Sequence, residues 1–324
     1  MKAIVQDRYG GPEVLRLEDV DEPEPGPDDV LIAVRAASVN AADWHTMRGD
    51  PYLARLALGL RRPKSRIRGH DVAGVVEAVG AEVTHVRPGD HVFADLGFAD
   101  GAFAEYACAP ARLVERLPSG LDFEEAAAIP LAGGTALQGV RDVGDVRPGH
   151  RVLVLGASGG VGTFAVQVAA ALGGDVTAVC SAANAEQALS LGAAHVVDYA
   201  REEVAGSYDL VLDLVGNRPL RQLRGLLAPE GVLVLSGGGV FEGGSLVGPM
   251  GLIVRAAFAS RFGRDRIRTL SVTEGRETLA ALRELVEAGA VRPVVERTYP
   301  LAEVPAAIGR LEREHARAKI VITI

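Results

Sequence analysis

Cysteine is nearly absent. The 324-residue chain holds two, Cys108 and Cys180, which excludes a disulfide framework and a thiolate set for structural zinc. That scarcity suits a reducing compartment, and the expected location is cytoplasmic. Long apolar runs are missing too: the N-terminal MKAIVQDRYG has no signal-peptide core, and the apolar stretch over 246–254 is interrupted by Arg255 before it could span a bilayer. Positive charge is in deficit, with a formal net charge of −8. This argues against a general binder of nucleic acid or anionic membrane, so neither is an expected partner.

What is present begins with size: 48% hydrophobic and 23% charged residues over this length suit two medium globular domains. The stretch 151–172, RVLVLGASGGVGTFAVQVAAAL, reads as a strand, a glycine-rich turn and a helix in direct succession. Val152 to Leu155 form the continuous apolar run of a strand covered on both faces. Gly156, Gly159, Gly160 and Gly162 let the backbone bend sharply and approach a ligand, exposing N–H groups at a helix start where a phosphate is favoured. Ser158 replaces the middle glycine of the common G-x-G-x-x-G pattern. The strand before and helix after make the turn a dinucleotide pyrophosphate seat, against the alternative of a glycine-rich surface loop.

Ahead of it, short alternating segments at 2–6, 14–20, 29–37, 71–79 and 102–108 predict a β-rich region, with turns over 21–29 and at Val86-Arg87-Pro88-Gly89-Asp90. The dense basic cluster Arg61, Arg62, Lys64, Arg66 and Arg68 is open to two readings, a solvated loop or a phosphate-facing rim of the cofactor cleft. After Phe123, helix and strand alternate: helices at 123–129, 131–140, 185–191 and 219–227, and strands at 175–180, 195–198, 208–212 and 231–235. This order predicts a doubly wound parallel sheet. The region 237–263 reads as a cleft loop and a dimer-packing helix. Helices at 273–288 and 304–314 precede a terminal strand at 318–324.

Taken together, Ser38-Val39-Asn40 with Asp43, Gly69-His70-Asp71-Val72-Ala73-Gly74, Arg87-Pro88-Gly89-Asp90, Gly101-Ala102-Phe103-Ala104-Glu105-Tyr106, Gly134-Thr135-Ala136, the glycine turn, Leu191-Gly192-Ala193 and Val197-Asp198-Tyr199 resemble the medium-chain dehydrogenase/reductase superfamily. Within it they resemble the zinc-independent quinone oxidoreductase branch of zeta-crystallin and reticulon-4-interacting-protein-like reductases. The resemblance implies an α/β fold: a Rossmann doubly wound parallel sheet at 125–293 plus a β-rich GroES-like catalytic domain at 1–124 and 294–324, with the active site in the cleft between them. It also implies a homodimer.

Zinc-containing members carry a catalytic Cys where this chain has Asn40 and another near 130–135, which reads PLAGGT. His70 with Asp71 is not enough for the three protein ligands a catalytic zinc needs, so no metal is expected. His70 is a structural or cleft-lining residue, or else a proton donor. Without a Lewis acid the chemistry suits substrates that are already electrophilic. The expected activity is NADPH-dependent hydride transfer to a quinone or α,β-unsaturated carbonyl. The alternatives are an NADPH-binding structural or sensor protein with little turnover, and an NAD(P)-dependent alcohol dehydrogenase.

By resemblance Asn40 and Tyr52 face the nicotinamide cleft and Thr135 lies beside the nicotinamide. Two roles are open to Tyr52, proton donor or pocket wall. Asp43 orders the Asn40 loop or caps the helix after it, with Trp44 packed behind. The cofactor set is Gly156, Ala157, Ser158, Gly159, Gly160, Val161, Ser181, Asn184, Tyr199 and Gly237. An acid about twenty residues past the turn would bind the ribose of NAD; Ser181 to Asn184 contain none. This favours NADPH, with NADH as an alternative, and the lack of Lys or Arg from Ser181 through Val197 predicts weak discrimination.

Overall fold

The computed structural model of the chain describes residues 1–236, 244–245, 266–314 and 317–324. Gly237, and the loop and helix expected over 237–263 apart from Gly244 and Ser245, lie outside the described residues.

The first half is built from β1 (Lys2–Val5), β2 (Arg16–Asp19), β3 (Asp29–Val39), α1 (Ala41–Arg48), α2 (Arg55–Leu58), β4 (Asp71–Val79), β5 (His91–Asp95), β6 (Tyr106–Pro110) and β7 (Val114–Arg116). Two helices, α3 (Phe123–Ala127) and α4 (Pro130–Leu137), lead to β8 (Arg151–Leu155), α5 (Gly160–Ala171), β9 (Asp175–Cys180), α6 (Ala185–Ser190), β10 (His195–Asp198), β11 (Tyr208–Asp213), α7 (Leu220–Gly225), β12 (Leu227–Leu235) and β13 (Arg266–Thr269). The chain closes with α8 (Arg276–Glu287), β14 (Val295–Pro300), α9 (Val304–Arg313) and β15 (Lys319–Thr323).

The second set of strands forms a six-stranded sheet in the order β10-β9-β8-β11-β12-β13, every pairing parallel. Its direction of winding reverses between β8 and β11, so the turn after β8 opens into the crevice where such sheets bind ligands. The fold is thus the doubly wound parallel sheet expected from alternating strands and helices. The other sheet runs β14-β15-β3-β4-β5-β7 with β6 also on β3, and is antiparallel except where β14 meets β15. Ile320 pairs with Val39 and Thr323 with Ala36, which sets the last strand against the strand leading to Asn40.

Several strands differ from the sequence reading. The segment expected at 102–108 is shifted to Tyr106–Pro110, while Ala104 makes an isolated bridge to Ala3. Residues Pro12–Val14 form a 3-10 turn ahead of β2. The strands β7, β13 and β14 were not legible. β14 is an edge strand of half-exposed polar residues with no apolar alternation, so only its pairing with β15 makes it a strand. The helix expected over 131–140 stops at Leu137 and continues as a wider π-type turn over Gln138–Val143.

The α3 and α4 segment joins the two sheets. Ala126, Ala127, Ala128, Ile129, Ala132 and Ala136 are buried in one cluster with Ala36, Ala73 and Phe93 from one side and Val152, Val154 and Phe164 from the other. Such a shared apolar core resists separation, because opening it would return that area to water at about 25 cal/mol per Å². No helix among the described residues is long and apolar enough to cross a membrane.

Candidate functional site

The glycine turn is held by backbone bonds. Gly156 and Ala157 both donate to Val179 O, at 3.3 and 3.1 Å, and Gly159 donates to Gly156 O at 3.2 Å. Gly156 sits at φ 83°, a left-handed conformation that a side chain disfavours. At Gly162 a Cβ would lie 2.1 Å from Gly156 O, so α5 can pack on the turn only without one. Gly159 has a different role: its nearest neighbour would be 3.5 Å from a Cβ. The turn therefore leaves a half-exposed cradle at the N-terminus of a twelve-residue helix, which suits a pyrophosphate.

The adjoining rim comes from the ends of β9 and β10. Ser181 precedes the turn Ala182–Asn184 and accepts the Asn184 N–H at 2.9 Å. Tyr199 donates its backbone N–H to Cys180 O and is exposed. The structure thus brings Ser181, Asn184 and Tyr199 onto one edge. Arg317 reaches the same helix, its Nε donating to Gln187 Oε1 of α6. Sequence reasoning missed this cation because it searched only the segment after β9.

Asn40 follows β3 and precedes α1, and its surroundings centre on Asp71. Asp71 Oδ2 accepts from Ser38 Oγ at 2.7 Å, Asn40 Nδ2 at 2.9 Å and Lys319 Nζ at 3.2 Å. Its Oδ1 accepts the Leu131 N–H at 2.9 Å, in the first turn of α4, where the helix dipole favours a negative charge. Lys319 Nζ also donates to Asn40 Oδ1 at 2.5 Å. Asn40 is oriented from both ends, and its second amide hydrogen has only a 3.4 Å contact with Ser38 O. The expected ordering role of Asp43 is visible, since its Oδ2 accepts the Asn40 N–H at 2.6 Å. Trp44 is buried behind it.

Lys319 is the functional neighbour that sequence reasoning missed, and Asp71, named there only in a motif and beside His70, proves to be a partner of Asn40. A lysine at a fully buried position of an otherwise apolar strand, AKIVITI, was the available signal. Lys319 also bridges to the cofactor turn. Ala318 pairs with Gly159 and donates its N–H to Ser158 O at 2.7 Å, while a Cβ on Gly160 would lie 2.9 Å from Lys319 Cδ.

Thr135 is buried on α4, and its hydroxyl donates to Leu131 O at 2.7 Å. Tyr52 lines a cavity of about 180 Å³ with Tyr9, Gly10, Arg48, Asp50, Arg55 and Gly244. Arg48 is clamped to Glu312 and donates to it through Nε and Nη2. Tyr52 donates its backbone N–H to Ser245 O at 2.9 Å, and Asp50 Oδ1 accepts the Ser245 N–H at 2.7 Å.

Behind Asn40 lies a closed charged cluster. His70 Nε2 is 3.7 Å from Asp43 Oδ1 and 3.6 Å from Asp100 Oδ1. These are also the three residues among the described ones that could share a metal ion. They do not fit a catalytic ion, because all three are buried and Arg68 Nη1 already holds Asp100 Oδ2 at 3.0 Å. A catalytic site needs an open ligand position and not a guanidinium. Burial raises Asp43 to about 7, opposed by the His70 charge. Burial also lowers His70, but the carboxylates of Asp43, Asp100, Asp95 and Asp71 outweigh it and leave the imidazole above its ordinary value.

Residues 26–119 match the alcohol dehydrogenase GroES-like domain, and residues 191–322 match a zinc-binding dehydrogenase domain. The chain is 34% identical to the mouse NAD(P)H oxidoreductase RTN4IP1, mitochondrial, over 100% of this chain and 89% of the relative. It is 33% identical to the Arabidopsis thaliana NADPH-dependent alkenal/one oxidoreductase, chloroplastic, over 99% and 79%. The crystal structure of Escherichia coli quinone oxidoreductase complexed with NADPH superposes with a TM-score of 0.84 at 26% identity, covering 100% of this chain and 98% of that one. The chain belongs to the medium-chain dehydrogenase/reductase superfamily, as an oxidoreductase of its quinone oxidoreductase branch.

Proposed function

We propose that the protein is an NADPH-dependent reductase of quinones or α,β-unsaturated carbonyls, with NADH as a poorer donor. The observation that carries this is the open glycine cradle at the sheet's reversal point beside the end of β9, where Ser181 to Asn184 carry no acid. A carboxylate there would repel a 2′-phosphate. Arg317, one helical turn beyond Asn184 through Gln187, adds positive charge on that side. Two relatives agree, one named an NADPH-dependent alkenal/one oxidoreductase and the other a quinone oxidoreductase complexed with NADPH.

When bound, the nicotinamide supplies a hydride from C4 to the conjugated carbon of the acceptor. Gly156 to Val161 would hold the pyrophosphate, and Ser181, Asn184 and Tyr199 the adenosine side. Asn40 is oriented by Lys319 and Asp71, so that its less engaged amide hydrogen can stabilise the oxygen that gains charge. Thr135 shapes the wall beside the nicotinamide. Tyr52 or water returns the proton that completes the saturated carbonyl or hydroquinone. A zinc is implied by the name of the domain matched at 191–322. Asn40 and the PLAGGT segment supply no thiolate, and no step is assigned to a metal.

Fluorescence titration with NADPH and NADH, followed by turnover of 1,4-benzoquinone and simple enones, tests the reading. Tighter NADPH binding with acceptor-dependent oxidation is expected. Absence of binding at millimolar cofactor overturns it, and binding without oxidation across a broad panel favours the sensor alternative.

A further inference from the structure

Three of the four leucines in the Tyr52–Leu60 stretch face outward. Leu56 is 70% exposed, Leu60 68% and Leu53 42%. Of the seven large apolar side chains exposed among the described residues, four lie within these nine residues. Meanwhile the charged residue of the helix points inward. Arg55 donates to Gly49 O at 2.9 Å and Arg48 O at 3.0 Å, and its guanidinium lies 4.5 Å from the Tyr9 ring centre and 4.7 Å from that of Tyr52. A surface helix in water places these groups the other way round. The anchoring is firm, since Tyr9 Oη donates to Gly59 O at 2.6 Å and Lys64 N donates to Leu58 O at 2.9 Å. The inverted face is therefore built into the local fold.

The charge around it is one-sided. Residues 51–70 hold six Lys and Arg and no Asp or Glu, in a chain whose net charge is −8. Arg66 is paired with Asp7 and Glu18, and Arg68 with Asp100. Arg61, Arg62 and Lys64 are exposed and have no ion pair among the described residues. Three outward leucines beside three unneutralised cations match an anionic lipid surface, where apolar side chains enter the interface and cations meet headgroups.

We propose that the Leu53–Lys64 face is a docking surface for anionic lipid bilayers. The expectation from whole-chain charge, which argues against a general binder of anionic membrane, averages over a patch of opposite sign. Two cues of moderate strength give weak, reversible attachment, steep in salt because a Debye length near 10 Å at 0.1 M screens the cations. The surface lies next to the Tyr52 cavity, but the proposal does not depend on the cofactor or acceptor.

Flotation of the full chain with phosphatidylserine-containing phosphatidylcholine vesicles, against pure phosphatidylcholine vesicles, tests it. The chain is expected to float with the anionic vesicles at low salt only. Arg61→Gln, Arg62→Gln and Lys64→Gln should each reduce the bound fraction about fivefold, the equivalent of roughly 1 kcal/mol per cation. Leu56→Ser with Leu60→Ser should abolish flotation while leaving the thermal midpoint and cofactor binding unchanged. No flotation, or flotation insensitive to both sets of changes, overturns the proposal. So does a dimer, seen by sedimentation velocity, that dissociates in the leucine variant while vesicles are not bound, since a second copy would then be the occupant.

Discussion

Lys319 Nζ lies 3.2 Å from Asp71 Oδ2, with both side chains almost completely buried, and this pair joins the last strand of the chain to β3, β4 and α4. Removing one partner of a buried pair leaves an uncompensated charge, which costs about 3–5 kcal/mol. Lys319→Met is expected to lose that much stability, read as a lower urea midpoint at constant slope. Adding Asp71→Asn to Lys319→Met should recover part of the loss, because the stranded carboxylate is gone.

The two roles of the turn glycines are separable. Gly162→Ala drives a Cβ into the Gly156 carbonyl at 2.1 Å and should destabilise the fold by several kcal/mol. Gly159→Ala meets only ordinary contact at 3.5 Å and an extended backbone at φ −77°. It should leave the thermal midpoint nearly unchanged but weaken NADPH by about tenfold or more, roughly 1.4 kcal/mol. Calorimetric titration alongside thermal melts distinguishes the two.

Burial, reinforced by Asp71, raises Asp95 from the ordinary carboxylate range to about 7. An acid with a raised folded pKa binds more protons in the folded state than in the unfolded one. Its contribution is complete below about pH 4 and is lost as the pH rises through about 7. Asp95→Asn should flatten the stability profile in that window by up to about 1.4 kcal/mol per pH unit. Denaturation midpoints at a series of pH values check this; a difference that grows toward lower pH outside the window would contradict it.

Arg317 stands on the side of the 2′-phosphate in the proposed complex. Arg317→Ala should weaken NADPH by roughly tenfold, in line with losing a charge-assisted bond of about 1.5 kcal/mol or more, and leave NADH within twofold. Equal loss for both cofactors would mean that the residue acts through the fold of the C-terminal segment and not through the phosphate.

The docking face carries its own lesson about legibility. In the sequence, the basic cluster from Arg61 to Arg68 had two bland or cofactor-related readings. Which cations are free depends on partners far along the chain: Asp7 and Glu18 for Arg66, Asp100 for Arg68. Likewise, the leucines of α2 suggest a buried face until Arg55 is seen turned inward.

By itself the sequence determined what depends on neighbours along the chain. The apolar run Val152 to Leu155, the glycines after it and the alternation of strands and helices were enough for the doubly wound sheet, because strand, turn and helix are local choices of backbone conformation. It also showed the acid-free segment after β9. Only the tertiary structure decided that Asp71 gathers Ser38, Asn40, Leu131 and Lys319 around one carboxylate, that Ala318 lies against Gly159, and that Tyr52 shares a cavity with Tyr9, Arg48 and Arg55. Those contacts span up to 248 positions between Asp71 and Lys319. No local pattern encodes them, since they form only when sheet register and core packing have fixed where each strand ends. The glycine turn could be read in the chain; the charged frame that positions Asn40 beside it could not.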